Sequence, residues 1–155
     1  MYETLLHGDL VEINGYGVLL TGKSGVGKSD LALRLIENKG AVLVADDMVQ
    51  LQIRENKIFG SAPDNIKGLL EVRGVGILKY KYKNENCVDL AVNLREDISQ
   101  IERMPKKQQQ NILGVEIVQI DLYAKESSAP DKIVAVLRLL SARKDNTEEK
   151  YQDVY

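Results

Sequence analysis

The chain has 155 residues, 44% of them hydrophobic, and a formal net charge of −2, which fits one globular domain and excludes a strongly basic nucleic-acid or membrane surface. Its single cysteine and lack of tryptophan argue against a disulfide framework, a cysteine-cluster metal site and an aromatic platform for single-stranded nucleic acid. With no apolar run long enough for a membrane span and no signal-peptide pattern, we expect a soluble cytoplasmic α/β protein.

The first part of the chain combines hairpins with one strand–loop–helix unit. Alternating or continuous apolar residues predict strands over residues 9–13, 17–21, 41–45, 49–53 and 58–59. Asn14-Gly15 predicts the tight turn between the first two strands. An amphipathic pattern predicts a helix over 28–39 that ends at Gly40.

The second part of the chain is more polar. We predict a short helix over 64–70, a loop or short helix over 95–111, and strands over 77–83, 87–94 and 115–123. A last helix opens at Ser127–Pro130, and its apolar face is Ile133, Val134, Val136, Leu137 and Leu140. Because the apolar period ends near Arg143, we expect one ordered domain over 1–143 and a disordered tail over 144–155. Hairpins outnumber strand–helix–strand units, so the predicted fold is α/β with a mixed sheet.

A glycine-rich loop between a strand and a helix organises the chain. Gly22 to Ser29 satisfies G-x-x-x-x-G-K-[ST], the pattern of a phosphate-binding loop, or P-loop, in its expected context. Backbone amides and the helix N-terminus would attract phosphate, while Lys28 would reach the β- and γ-phosphates and Ser29 would bind Mg²⁺. The candidate nucleotide-binding residues are therefore Gly22, Lys23, Ser24, Gly25, Val26, Gly27, Lys28 and Ser29.

Other polar residues are candidates for chemistry. Asp46 and Asp47 end the apolar strand that follows the loop helix, and their position faces the phosphate site if that strand lies parallel beside the loop strand. One carboxylate could then hold Mg²⁺ and the other accept a proton from an attacking hydroxyl; a simple turn-forming pair is the alternative. His7, the only histidine, fits a solvated residue when taken alone. Glu71 and Arg73 fit either metal and phosphate contacts or a surface ion pair.

Taken together, the motifs resemble the C-terminal catalytic domain of the HPr kinase/phosphorylase family. The resemblance covers residues 7–143, and its last motif matches the family signature L-E-I-R-G-[LV]-G-I. The motifs, in chain order, are His7-Gly8, Leu20–Ser29, Val44–Asp47, Gly60–Pro63 and Leu70–Ile77. The family fold that this implies is a P-loop variant similar to phosphoenolpyruvate carboxykinase, with one main P-loop helix and a C-terminal helix beside a mixed sheet.

The resemblance also implies roles for individual residues. His7 matches a catalytic histidine, and Asp47 matches the aspartate that acts as base in phosphorylation and as acid in the reverse reaction. The full set of matching positions is His7, Lys28, Asp46, Asp47 and Arg103 for catalysis, and Ser29 and Glu71 for Mg²⁺. The implied reaction is ATP-dependent phosphorylation of a serine on HPr, the phosphocarrier of the sugar phosphotransferase system, by a homo-oligomer that is hexameric in the family.

Three departures separate the chain from long-form members of that family. It starts just before His7, as in the short form without an N-terminal domain. Leu78–Asn86 replaces a small-residue loop that engages the partner, and Tyr123–Asp131 lacks the family's Gly-Arg, so we expect little phosphorylase activity. Two alternatives stay open: an ATP-binding regulatory module with little turnover, and a small-molecule kinase on the same scaffold.

Overall fold

A computed structural model describes residues 3–144, which fold into twelve β-strands and two α-helices. The helices are α1 (Lys28–Lys39) and α2 (Ala129–Lys144). The strands are β1 (Thr4–His7), β2 (Asp9–Ile13), β3 (Tyr16–Thr21), β4 (Val42–Ala45), β5 (Met48–Arg54), β6 (Lys57–Ser61), β7 (Leu69–Val72), β8 (Gly76–Lys79), β9 (Asn86–Cys87), β10 (Leu90–Arg95), β11 (Gln108–Ile112) and β12 (Val115–Tyr123). Neither helix in this part of the chain is long and apolar enough to cross a membrane.

The central layer is a six-stranded mixed sheet with the strand order β11-β12-β10-β3-β2-β4. Strands β3, β10 and β12 are parallel, while β2 is antiparallel to both β3 and β4. Strand β4 therefore runs in the same direction as β3 without pairing with it, because the β2–β3 hairpin places β2 between them. Their carboxyl ends still face the same edge of the sheet, where ligands of α/β proteins bind.

Strand alternation divides the core into two layers, one on each face of the central sheet. Val18 and Leu20 of β3 pack on one face with the apolar side of the helices, including Ile133 of α2. Leu19 of β3 and Ala91 of β10 point to the other face and pack against the second sheet, which has the order β1-β5-β6-β9. The central sheet is thus covered on both faces, as its continuous apolar strands predict.

The elements of the first part of the chain are confirmed, and several later ones differ. Helix α1 spans the predicted residues, and Gly40 follows it with a φ of 70°. The short helix predicted over 64–70 is wrong, because only a 3-10 turn forms at Asp64–Ile66 before the chain enters the β7–β8 hairpin. The strand predicted over 77–83 ends at Lys79, after which the chain crosses to the edge of β4, where the Lys83 N–H donates to Leu43 O at 2.9 Å.

Three short strands, β1, β7 and β11, were not predicted, and one predicted strand is divided. Strand β1 pairs with β5, and the glutamine-rich β11 pairs with β12 inside the segment 95–111 that reads as loop or helix. The strand predicted over 87–94 changes sheets, since β9 pairs with β6 and β10 joins the central sheet. Of the predicted tail, Lys144 ends α2, and residues 145–155 lie outside the described residues.

Candidate functional site

The glycine loop joins β3 to α1 with a backbone that suits glycine. Gly22 and Gly27 have φ values of 146° and 108°. A Cβ at Gly22 would lie 2.8 Å from the backbone oxygen of Leu94, so the neighbouring strand leaves no room for a side chain there. Helix α1 has no side-chain cap at its N-terminus, and its first N–H groups can therefore bind an anion.

The ammonium group of Lys28 lies against this loop. Its Nζ donates to the carbonyl oxygens of Gly22 at 2.8 Å and Lys23 at 3.1 Å. Lys28 also lines a cavity of about 710 Å³ that opens over the loop, a size in the usual range for small-molecule sites. A second depression, of about 470 Å³, lies at the opposite end of the strands and is lined by none of the predicted site residues.

The cavity collects most of the residues that the sequence singles out for chemistry. Its walls come from the end of β1, the glycine loop, the turn after β4 and the β7–β8 hairpin. The predicted catalytic and metal-binding residues among its lining are His7, Lys28, Ser29, Asp47 and Glu71, and Arg73 lines it as well. Arg103 is exposed in the loop before β11 and is not among the described residues that line the cavity.

Asp46 connects the glycine loop to the β7–β8 hairpin through its side chain. Its side chain is only 8% exposed. One carboxylate oxygen accepts the Ser29 hydroxyl at 2.6 Å, and the other accepts the backbone N–H of Glu71 at 3.0 Å. A buried carboxylate that is bonded on both oxygens is held in one orientation.

Asp47 points the other way, into the cavity. Its carboxylate lies 3.9 Å from Nδ1 of His7, and the two side chains are 72% and 77% exposed. The pairing of β1 with β5 places these residues side by side, because His7 is opposite Met48 in the register. At this exposure an ion pair of this length adds little stability.

A third carboxylate, Asp9, lies beneath this pair and was not found from the sequence. It is fully buried, and its Oδ1 accepts the backbone N–H of Asp47 at 3.3 Å. Burial raises the pKa of Asp9 well above its ordinary value, the nearby Asp46 carboxyl raises it further, and the Asp47 N–H and Lys28 oppose the shift. The sequence signal was that Asp9 occupies the apolar register of β2, together with Val11 and Ile13.

Lys125 is another charged residue of the cavity that the sequence analysis did not single out. It is exposed and lines the cavity from the turn that follows β12. Arg34 of α1 holds this turn, since its guanidinium donates to the carbonyl oxygens of Ala124 at 2.6 Å and Glu126 at 2.7 Å. A lysine just beyond Ala124, the residue that follows a parallel strand of the central sheet, is the signal that could have placed it at this edge.

Oxygen donors of the kind that Mg²⁺ prefers face the cavity. They are the Ser29 hydroxyl and the Glu71 carboxylate, and Asp46 bonds to both residues. Within residues 3–144, no group of three or more His, Cys, Asp or Glu side chains is arranged to hold a metal ion by itself. The donor set therefore fits an ion whose remaining ligands are water and phosphate oxygens, as is usual for Mg²⁺ in nucleotide sites.

Fold and site together define a class of protein, an α/β domain with a glycine loop of the phosphate-binding pattern at the carboxyl edge of a mixed sheet. Comparison with protein families identifies the family: residues 1–153 match the HPr Serine kinase C-terminal domain. The chain belongs to this family, and the resemblance drawn from its motifs is confirmed.

Relatives among curated proteins are named HPr kinase/phosphorylase. One from Thermoanaerobacter sp. (strain X514) is 46% identical over 102 residues, which cover 61% of this chain and 33% of the relative. One from Leptospira biflexa serovar Patoc (strain Patoc 1 / Ames) is 41% identical over 136 residues, 79% of this chain and 42% of the relative. One from Malacoplasma penetrans (strain HF-2) is 39% identical over 150 residues, which cover 87% of this chain and 50% of the relative. The chain thus spans between a third and a half of the length of these relatives.

A solved structure confirms the fold. It is the Hpr(Ser) kinase/phosphatase from Coxiella burnetii, which superposes on this chain with a TM-score of 0.81 at 26% sequence identity. The match covers 92% of this chain and 99% of that one. The mixed-sheet α/β class predicted from the hairpin-rich sequence is therefore correct.

Proposed function

We propose that this chain is a protein serine kinase domain that transfers the γ-phosphoryl group of ATP to a serine of an HPr-type phosphocarrier. Family membership supports the reaction class. The observation that carries the proposal is that two adjacent aspartates have opposite environments. Asp46 is buried and bonded to Ser29 of the glycine loop, whereas Asp47 is exposed in the cavity over that loop.

In this proposal the glycine loop and Lys28 bind the nucleotide phosphates. The N–H groups at the start of α1 and the loop amides supply donors that are already oriented. Lys28 now donates to two loop carbonyls, and rotation of its side chain would bring the ammonium group onto the β- and γ-phosphates. Most of the rate enhancement of phosphoryl transfer comes from such positioning and charge neutralisation.

Ser29 and Glu71 are the residues that we propose to hold Mg²⁺ with the nucleotide. Asp46 orients both of them, one through the Ser29 hydroxyl and the other through the Glu71 backbone. When bound, the ion neutralises negative charge on the phosphate oxygens. The part that belongs to this chain is the anchoring of the Ser29 hydroxyl and of the Glu71 backbone to the buried Asp46.

Asp47 is the proposed general base. An exposed carboxylate in the cavity can accept the proton of an incoming serine hydroxyl as its oxygen attacks the γ-phosphorus. His7 lies next to it, and we assign to His7 an electrostatic influence on that proton transfer. Arg103 stays a predicted catalytic arginine whose exposed loop would have to move towards the cavity, or be brought to a site by assembly.

We extend the proposal to the whole protein on family membership alone. Residues 1–143 form the kinase domain, and residues 144–155 follow as a tail. The protein acts in the cytoplasm on an HPr-type partner and assembles as a homo-oligomer, a hexamer by analogy with the family.

The test is a transfer assay with Mg²⁺-ATP and the HPr-type protein of the same genome. Phosphoserine survives acid and phosphohistidine does not, so an acid-stable mass increase on a serine identifies the chemistry. The increase should disappear in Lys28→Ala and Asp47→Asn. Tight ATP binding without transfer would instead favour a regulatory module, and transfer to a metabolite with none to protein would favour a small-molecule kinase.

We also predict that the reverse reaction, attack of inorganic phosphate on phosphoserine, is weak. The stretch Tyr123–Asp131 lacks the Gly-Arg pair of the family, and the backbone of the turn within it is fixed by Arg34. The measurement is pyrophosphate release from the phosphorylated partner. Release at a rate comparable to that of the forward reaction would contradict this prediction.

A further inference from the structure

The turn that carries the two aspartates is strained. Asp47 has a φ of 68°, and the N–H of Met48 donates to Asp46 O at 2.8 Å across it. A hydrogen bond between residues i and i+2 around a positive φ is the rare form of the γ-turn, and a non-glycine residue there persists only when its surroundings hold it. The conformation is what turns Asp46 inwards and Asp47 outwards.

Both backbone polar groups of Asp47 are held by the short connection between β1 and β2. Gly8 donates its N–H to Asp47 O at 2.9 Å. Asp9 accepts the Asp47 N–H through Oδ1 at 3.3 Å. Gly8, between the two strands, thus fixes the carbonyl of the strained residue, and Asp9, the first residue of β2, fixes its amide.

Packing does not explain a carboxyl group at position 9. The side chain is fully buried on the face of β2 that Val11 also occupies. Its second oxygen, Oδ2, is the buried side-chain atom that finds no donor among residues 3–144. An incompletely satisfied carboxyl costs more than an apolar residue of similar size would, so its presence points to the polar groups of the turn above it, the Asp47 N–H that it accepts and the neighbouring Asp46 carboxyl.

We propose that Asp9 is a positioning residue that holds Asp47, through its backbone N–H, in the left-handed conformation needed for the Asp46–Asp47 pair to face opposite ways. Its effect on catalysis rests on the function proposed above for Asp47. Its effect on the conformation of the turn does not.

The conformational test uses the ligand-free protein. The probe is exchange of the Asp47 amide hydrogen, measured by NMR in Asp9→Asn, Asp9→Ala and Asp9→Val. Asparagine keeps the acceptor, so exchange should match that of the unchanged chain, whereas alanine and valine should accelerate it by about tenfold or more. Valine fills the space and suits a strand, which guards against an alanine variant that does not fold. Equal exchange rates in all four proteins would overturn the proposal.

The kinetic test separates positioning from general destabilisation. We expect Asp9→Ala and Asp9→Val to lower kcat by about tenfold or more with KM for ATP nearly unchanged, because the base is displaced while the glycine loop is intact. Asp9→Asn should restore kcat to within about threefold of the original. The control is Val11→Ala, which weakens the same strand away from the turn and should leave kcat unchanged. A loss in Asp9→Asn as large as in Asp9→Ala would overturn the proposal, while absence of kinase activity in the unchanged chain would leave the exchange result standing.

Discussion

Two walls of the same cavity are built in opposite ways. The Asp46–Asp47 turn is bonded to β2, to the glycine loop and to the hairpin, and what lies beneath it is buried. The second wall is the β7–β8 hairpin, which lines the cavity with Glu71, Val72 and Arg73. Its tip, beyond the cavity, is exposed, and Val75 and Ile77 keep 70% and 69% of their accessible surface. Proton transfer needs groups that are fixed to a fraction of an ångström, whereas recognition of a macromolecule needs accessible apolar surface. The contrast suggests that chemistry is located on the first wall and partner contact on the second.

The largest expected effect comes from the side chain that the first wall presents. Asp47→Asn removes the proposed base without altering size, so kcat should fall by about 100-fold or more. Affinity for ATP, measured by calorimetry, should change by less than about threefold, because the glycine loop is untouched.

Asp64→Asn is the matched control for this change. It removes an exposed carboxylate from the 3-10 turn before β7, and it should alter neither quantity. A residual rate in Asp47→Asn close to that of the unchanged chain would show that another group takes the serine proton.

The next largest effect is expected on stability, when one glycine near each wall is replaced by alanine. A Cβ on Gly8 would lie 2.7 Å from the backbone oxygen of Leu20, while Gly74 at the hairpin tip has open space around it. We expect Gly8→Ala to lower the free energy of unfolding by about 2–3 kcal/mol through overpacking. Gly74→Ala should lower it by about 1 kcal/mol, because its φ of 87° is unfavourable for alanine. Urea denaturation measures both, and equal losses would contradict the difference between the walls.

Local sequence patterns predicted the parts of the fold that depend on neighbours in the chain. The glycine loop, helix α1 and the hairpin of β5 and β6 each carry their own signal, and all three are found. Strand β1 carries none, since it is a strand only because β5, distant in the chain, pairs with it. Strand β11 is next to its partner β12 in the chain, but its run of glutamines has no apolar alternation, and it is a strand because β12 pairs with it.

The same limit applies to the site. His7 and Asp47 could be named from the motifs, but their contact depends on the pairing of β1 with β5. The alternation of β2 places Asp9 in register with Val11 and Ile13, but whether a carboxylate in that register is buried is decided by the layers above and below β2.

A smaller effect should appear as a dependence of stability on pH. Burial raises the pKa of Asp9, so the folded state keeps a proton that the unfolded state releases above its ordinary pKa of about 4. Stability of the unchanged chain therefore falls, relative to that of Asp9→Asn, as pH rises from that value towards the raised pKa. The slope is at most about 1.4 kcal/mol per pH unit for one proton. Urea denaturation of both proteins between pH 4 and 7, without Mg²⁺ or nucleotide, measures the difference, and parallel pH profiles would contradict it.

The smallest effect on stability, and the sharpest separation of the walls, is expected at the hairpin tip. Replacing Val75 and Ile77 with serine should change the free energy of unfolding by less than about 0.5 kcal/mol, because both side chains already face solvent. If this surface meets the protein substrate, KM for that substrate should rise by about tenfold while KM for ATP stays constant. Leu113→Ser is the control, since this exposed leucine lies in the β11–β12 turn, in another sheet from the β7–β8 hairpin. An unchanged KM for the protein substrate would show that the hairpin tip does not recognise this substrate. The two walls would then differ only in how much a substitution in each lowers the free energy of unfolding.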